Sequence, residues 1–363
     1  MKALVIGGTG PTGPFIVNGL LDRSYETVIL HRGHHEVPFK KEIEHIHVDP
    51  HFEEGMRDAL QGRRFDLIII TYGRLAMLAE VLKGHTHRLI SIGGTAYATD
   101  SYDRPVSEEG KRPKNIKLID KIVNTEESLF KLHNSGEFNI THFRYPNLYG
   151  PRQLAPKEWS VIRRVLDGRR VLPIMEGGLT LESRAYVENA GAAVLLAVDK
   201  PEASAGQTYN VADQHTPSDI VRARTIAGIL GADVEFVSFP RSAGRPAHYW
   251  GRGRDLETGT RGEPPPVAHR LLDVGKIVRE LGYSDPVRFE DAMKRTVQWY
   301  LENPIERESE EERVLGDPFD YAAEDEFIRI QRSFVKACEE LPFLGVRHAH
   351  AYDHPKEAAR AKR

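Results

Sequence analysis

The sequence predicts an α/β fold: a doubly wound parallel sheet with a smaller, discontinuous C-terminal subdomain. Short apolar runs rich in β-branched residues, Lys2–Ile6, Thr27–Leu30, Phe65–Ile70 and Arg88–Ile92, read as buried strands. Stretches with apolar residues at helical spacing lie between them, such as Phe15, Ile16, Val17, Leu20 and Leu21. The first strand passes straight into Gly7-Gly8-Thr9-Gly10-Pro11-Thr12-Gly13.

The unit is strand, glycine turn, helix, strand, and its glycines have a physical job. A turn this tight needs residues without Cβ, and a pyrophosphate must approach the backbone closely. The helix that starts there offers unpaired N–H groups and a positive dipole end to the phosphate. Gly7, Thr9, Gly10, Pro11, Thr12 and Gly13 are therefore candidate dinucleotide-binding residues in a Rossmann-type unit. The other reading is a plain strand-to-helix turn. The end of the second strand selects the cofactor. An acid there binds the ribose 2′-hydroxyl of NAD, and a base accommodates the 2′-phosphate of NADP. This chain has His31-Arg32-Gly33 and no acid before Glu36, so NADP is favoured, with NAD second. Arg32 can stack on adenine and pair with phosphate.

Composition narrows the field. In 363 residues the net charge is −3, so no basic surface for nucleic acid is expected. No apolar run is long enough to span a bilayer, and the N-terminus enters a strand without a signal-peptide pattern. The single cysteine, Cys338, excludes an internal disulfide and fits a reducing compartment, with cytoplasm the expectation.

The spacing of Gly7, Gly10 and Gly13 resembles the short-chain dehydrogenase/reductase superfamily. The surrounding GGTGPTG looks like its extended, epimerase/dehydratase branch. The resemblance implies hydride chemistry on a nicotinamide cofactor and lets the rest of the chain be taken in order.

His31, His34 and His35 are followed by His45, His47 and His51 around a third strand, Ile43–Val48. Histidine-x-histidine on a strand can ligate a metal. No supporting carboxylate or cysteine spacing accompanies it, so solvated surface residues and no metal are expected. Asp49 resembles the family's aspartate that approaches the adenine. Thr71, Tyr72 and Gly73 follow the strand 65–70, at the end where ligands sit in such sheets, and are candidates for the nicotinamide side. A helix carries Leu75, Leu78, Ala79 and Leu82.

The strand 88–92 runs into Gly93-Gly94-Thr95-Ala96-Tyr97, which looks like the family's Ser-Ser-Gly-Gly-Thr-Val-Tyr segment. The family's substrate-binding hydroxyl comes from this loop, and by register its place is held by Ser91, Gly93 or Thr95. The family then carries Tyr-x-x-x-Lys one helical turn apart on the next helix. Here Lys114–Glu127 contains no tyrosine. Anchored on Glu127, the pair falls on Ile119 and Val123; a slip of two residues brings Lys117 and Lys121 there instead. Three readings stand: no hydride chemistry, a proton from another group (Tyr72, Tyr97, Tyr145 or Lys121), or a reaction that needs no tyrosine.

The resemblance resumes at strand 138–144 and Arg144-Tyr145-Pro146-Asn147-Leu148-Tyr149-Gly150-Pro151, which fits the family's Arg-x-x-Asn-x-Tyr-Gly-Pro. It implies that Pro146 and Asn147 lie at the nicotinamide amide and the substrate. Arg184–Asn189, Thr208–Ala212 and Asp273–Tyr283 resemble further family segments. Helices are expected near Trp159–Leu166, 190–198, from Ser218, over Phe289–Leu301 and over Ala323–Leu341. Five arginines between 240 and 266 suit an anionic substrate or a solvated loop equally.

The expected organisation is a dinucleotide-binding domain over 1–150, with 181–215 returning to it. A substrate subdomain covers 151–180 and 216–303. A charged linker, an amphipathic helix and a tail fill 304–363. That last helix has Phe327, Ile330, Phe334, Cys338 and Leu341 on one stripe, to pack on its own domain, cap the site or dock on a second subunit as a homodimer. The expected function is NADP-dependent oxidoreductase or epimerase-type chemistry on a small alcohol or carbonyl compound, with Ser91 or Thr95 orienting the oxygen and a non-standard proton donor. The alternatives are a silent NADP-binding regulatory or scaffold protein and a cofactor-assisted lyase or cyclase.

Overall fold

The computed structural model describes residues 1–71, 73–95, 105–112, 115–240 and 269–345. Seven strands form one parallel sheet: β1 (Lys2–Ile6), β2 (Glu26–His31), β3 (Glu44–His47), β4 (Leu67–Ile70), β5 (Arg88–Gly94), β6 (Asn139–Tyr145) and β10 (Gln207–Asn210). Their order is β10-β6-β5-β4-β1-β2-β3. The chain steps outward from β1 to β3, then crosses back to β4 on the other side of β1. That reversal opens a crevice beyond the carboxyl ends of β1 and β4, where ligands bind in doubly wound sheets. Strands β1 and β4 read as continuous apolar runs because both faces are covered.

One face carries α1 (Gly13–Asp22) and α6 (Val187–Asp199), packed on Val5, Ile29 and Ile69. The other carries α2 (Glu53–Leu60), α3 (Leu75–Val81) and α4 (Lys117–Asn134), packed on Leu4, Ile68 and Leu89. A second core lies beyond the sheet. It is built by α5 (Lys157–Leu166), β8 (Val171–Met175), α7 (Asp219–Ile229), β11 (Glu235–Phe239) and α9 (Phe289–Glu302). Strand β8 pairs parallel to β11, and β7 (Asn147–Tyr149) pairs parallel to β9 (Arg184–Tyr186).

Three expectations need correction. Strand β8 was not expected in the polar stretch 152–180; it forms because Leu172 and Ile174 are buried in the second core. Helix α2 also went unread, because only Met56 and Leu60 of its eight residues are buried. The span 216–303 is not all substrate subdomain. Helix α8 (Gly275–Leu281) buries Ile277 and Leu281 in the first core, and Lys276 donates to the Thr208 carbonyl of β10 at 3.1 Å.

The C-terminal helix α11 (Tyr321–Glu339) packs on its own chain through its first half. Ile328 is buried, and Phe327 meets Phe239 edge-on at 5.0 Å. Ile330, Phe334 and Leu341 of the expected stripe are exposed. Among the described residues, no helix is long and apolar enough to cross a membrane.

Candidate active site

The glycine turn is built from backbone conformations that only glycine adopts freely. Gly7 and Gly8 have φ of 105° and 87°. The Gly7 amide donates to the Leu30 carbonyl at 2.8 Å, fixing the turn to β2. A Cβ on Gly13 would stand 2.2 Å from the Gly8 carbonyl oxygen, so the first turn of α1 presses directly on the loop. Gly10 differs: a Cβ there meets nothing within 4 Å, and the residue is exposed. Thr9 and Pro11 flank it, half-buried, and Thr12 is buried at the N-terminus of α1. The loop thus leaves an open cradle at a helix N-terminus, which fits a dinucleotide pyrophosphate.

Arg32 is exposed at the end of β2 and lies near Asp49. The Asp49 carboxyl is lowered from the ordinary value, chiefly by the backbone N–H of His51, with the His51 ring and Arg32 adding to it. Thr71 is tied down, its hydroxyl donating to the Ile6 carbonyl at 3.0 Å. Gly73 has φ of 111° and sits against Leu78 and Pro50. Tyr72 lies outside the described residues, as do Tyr97, the arginines between 241 and 261, and His348, His350 and His354.

Beyond β5 and β6 lies a buried polar network. Ser91 Oγ is 2.8 Å from His142 Nδ1, and His142 Nε2 is 3.6 Å from Glu126. Both oxygens of Glu126 accept from Arg144, at 2.9 and 2.6 Å, and Arg112 donates to one of them at 2.6 Å. The sequence of groups is that of a nucleophile, base and carboxylate. Ser91 is wholly inaccessible, however, and Glu126 is committed to two guanidinium groups. Burial first, and the Arg112 cation second, push the His142 imidazole down to about 3, so it stays neutral. The network is buried and ties α4 to the sheet.

This corrects the sequence reading of Ser91 as an oxygen-orienting group. Thr95 is the candidate hydroxyl left at the carboxyl end of β5; it is half-buried, with its amide on the Tyr145 carbonyl at 3.2 Å.

Tyr145 is also removed as a proton donor. Its hydroxyl donates to the Ala190 carbonyl at 2.8 Å, it hydrogen-bonds Thr12, and burial raises it far above an ordinary phenol. Lys121 is exposed, lining a groove with Ala76, Lys117 and Asp120 between α3 and α4. The face of α4 turned to the sheet presents Ile119, Ile122, Val123 and the buried Glu126, at helical spacing. Ile122 lies 3.6 Å from where a Gly94 Cβ would stand. The slip of two residues that would bring Lys117 and Lys121 inward does not occur.

Half-buried Pro146 joins β6 to β7. Asn147 is exposed, but its amide donates to Glu182 at 2.9 Å. Glu182 also meets Lys157, Arg184 and Arg270. Burial pushes its carboxyl up, but the three cations outweigh that and hold it well below the usual range. Sequence reasoning missed Glu126, His142 and Glu182. The legible signal was position alone: Glu126 stands seven residues after Ile119, and His142 stands two before Arg144 on a buried strand.

A glycine turn on a seven-stranded, doubly wound parallel sheet is a Rossmann-type arrangement. The profile of the NAD dependent epimerase/dehydratase family matches residues 73–212, from the end of β4 past β10. It is 30% identical over 164 residues to dTDP-glucose 4,6-dehydratase of Neisseria gonorrhoeae, covering 45% of this chain and 44% of that protein. The corresponding match to dTDP-glucose 4,6-dehydratase 1 of Escherichia coli K12 is 30% over 158 residues, 43% of this chain and 39% of that one. The aligned part thus spans less than half the length of these relatives.

Among solved structures, UDP-glucose 4-epimerase of Thermotoga maritima with UDP-glucose superimposes with a TM-score of 0.67 at 19% identity, over 84% of this chain and 99% of that one. The dTDP-glucose 4,6-dehydratase of Bacillus anthracis in complex with NAD gives 0.63 at 18%, over 84% and 97%. These structures share the fold.

Proposed function

We propose that this chain binds a nicotinamide dinucleotide at the cradle of residues 7–13, NADP in preference to NAD, and acts as an oxidoreductase or epimerase-type enzyme on an alcohol or carbonyl compound. The turn before α1 carries the reading: Gly7 and Gly8 take positive φ, Gly13 presses on the Gly8 carbonyl, and the outer side at Gly10 stays open at a helix N-terminus. When bound, the dinucleotide supplies a hydride donor and acceptor. The chain's own residues do the rest. Amides of the turn meet the pyrophosphate, Arg32 meets the 2′-phosphate, and Gly73, Pro146 and Asn147 line the far end of the crevice. The Thr95 hydroxyl orients a substrate oxygen. The relatives' nucleoside-diphosphate sugars are the first substrates to try, since Lys157 and Arg270 stand on the subdomain side of Asn147.

One observation favours a second reading, a dinucleotide-binding protein without turnover. The α4 positions where the family carries its tyrosine and lysine hold Ile119 and Val123, which cannot exchange protons.

Gly10→Ala is the test. The turn accepts the methyl group, so thermal stability stays as in the parent, while NADPH binding by fluorescence weakens on the order of tenfold, or about 1.4 kcal/mol. Arg32→Ala weakens NADPH and leaves NADH nearly unchanged. NADPH binding that Gly10→Ala leaves intact, or no binding of either nucleotide, refutes the proposal. Binding without conversion across a panel of carbonyl compounds and sugar nucleotides selects the second reading.

A further inference from the structure

We propose that His31, Glu36, His45 and His47 form a binding site for one divalent transition-metal ion, with zinc the best-suited occupant. The sequence offered six histidines and no companion carboxylate spacing; the fold brings three of them together and adds Glu36. Strands β2 and β3 pair in parallel with His31 opposite His47, and His45 lies on the same face two residues earlier. The connection between the strands folds back and sets Glu36 against all three rings.

The distances approach those within a tetrahedral coordination shell. His31 Nε2 is 3.2 Å from His45 Nδ1, and the Glu36 carboxylate is 3.2 Å from His45 Nδ1, 3.4 Å from His47 Nε2 and 3.8 Å from His31 Nε2. The four donor atoms all lie within 4.8 Å of one another. A tetrahedral ion with bonds of about 2.0–2.1 Å spaces its donors roughly 3.3–3.4 Å apart. Three imidazoles and one carboxylate suit zinc and its neighbours in the first row, not calcium or magnesium.

Hydrogen bonding does not account for the cluster. His45 Nδ1 faces both His31 Nε2 and a Glu36 oxygen. It would have to accept a proton from one and donate a proton to the other. A cation at the common centre satisfies all the lone pairs together. The Gly33 amide donates to His31 Nδ1 at 3.2 Å, so coordination through Nε2 moves the ring proton to Nδ1 and releases this contact.

Four protein ligands make a closed site, which is structural in character. It would pin the end of β2, the connection after it and β3 at one point, beside Arg32. The site stands whether or not a dinucleotide binds there.

The test uses the full chain, stripped with a chelator and titrated with Zn²⁺ against a chromophoric competitor, then with Co²⁺. His31 is 5% exposed and its variants are liable to misfold, so Glu36→Gln and His47→Ala are used, at positions with side chains 55% and 57% exposed. One equivalent of Zn²⁺ is expected, with the intense visible bands of tetrahedral Co²⁺. Each variant should weaken Zn²⁺ on the order of tenfold or more. His34→Ala and His35→Ala, outside the cluster, should change nothing. No stoichiometric binding overturns the proposal. So does binding that His34→Ala and His35→Ala weaken but Glu36→Gln does not, which would mark a nonspecific histidine-rich loop.

Discussion

Replacing Arg164 by methionine tests how the C-terminal segment is held to the body of the chain. Arg164 on α5 is fully buried, and so are the side chains of Asp317 and Glu324. Its NH1 and NH2 donate to the two oxygens of Asp317 at 2.7 and 2.8 Å, and Nε donates to Glu324 at 3.1 Å. Methionine fills much of the space but leaves two buried carboxylates without their guanidinium. Breaking such an arrangement costs about 3–5 kcal/mol. Unfolding entropy is about 2.1 cal/mol/K per residue, so over 363 residues a loss of roughly 4 kcal/mol lowers the melting midpoint by about 5 °C. That figure holds if the chain melts as one unit. If α11 opens first, protease cleavage between α9 and α11 rises ahead of the global transition.

The effect also has a pH signature. Burial pushes the Glu324 carboxyl up and Arg164 pulls it back down; without Arg164 it rises further. A carboxyl raised in the folded state costs stability as pH climbs through its folded value, so the variant's deficit shrinks in acid. Thermal melts and limited proteolysis across pH measure both features. Adding Asp317→Leu and Glu324→Leu to Arg164→Met should recover most of the loss, since a buried ion cluster is replaceable by apolar groups. A shift in the single variant below about 1 °C with unchanged proteolysis, or a triple variant no better than the single one, refutes the reasoning.

Three further outcomes follow from the same geometry. The folded His142 imidazole sits at about 3 against 6.5 unfolded, so only the unfolded chain takes up this proton between those values, and stability falls as pH drops through that window. His142→Gln should remove about one proton from the pH slope of urea-melt stability; an unchanged slope contradicts it. Gly13→Ala places a methyl group 2.2 Å from the Gly8 carbonyl oxygen and should lower the melting midpoint as well as nucleotide affinity, whereas Gly10→Ala lowers the affinity alone. Tyr145→Phe deletes the hydroxyl that donates to Ala190 and hydrogen-bonds Thr12, costing about 1–2 kcal/mol in a denaturant melt. It should leave turnover intact, whereas loss of turnover would reinstate Tyr145 as the proton donor.

The glycine turn and the sheet were legible because they depend on local rules. Glycine at 7 and 8 is demanded by backbone angles, and the buried strands announce themselves as unbroken apolar runs. The catalytic candidates were not legible to the same degree. Ser91, Tyr145 and Lys121 have suitable chemistry and a family position, but whether a hydroxyl or an amine faces a ligand depends on helix register and on what packs above it. Ser91 is capped by His142, Tyr145 is drawn to the Ala190 carbonyl on α6, and Lys121 is rotated outward by the helix face that buries Glu126. The partners of Ser91 and Tyr145 lie 51 and 45 residues away in sequence.

By itself the sequence determined the fold class, the strand-turn-helix unit at the glycines and the existence of the last helix, because these follow from periodicity and from the steric freedom of glycine. Only the tertiary structure decided which polar groups are spent on holding the protein together. It joined Arg144 to Glu126, Arg164 to Glu324 and Glu182 to Arg270 across 18, 160 and 88 residues. It also brought Glu36 to three histidines. A charge taken out of water must find a partner, and chain folding, not chain order, sets which partners are within reach.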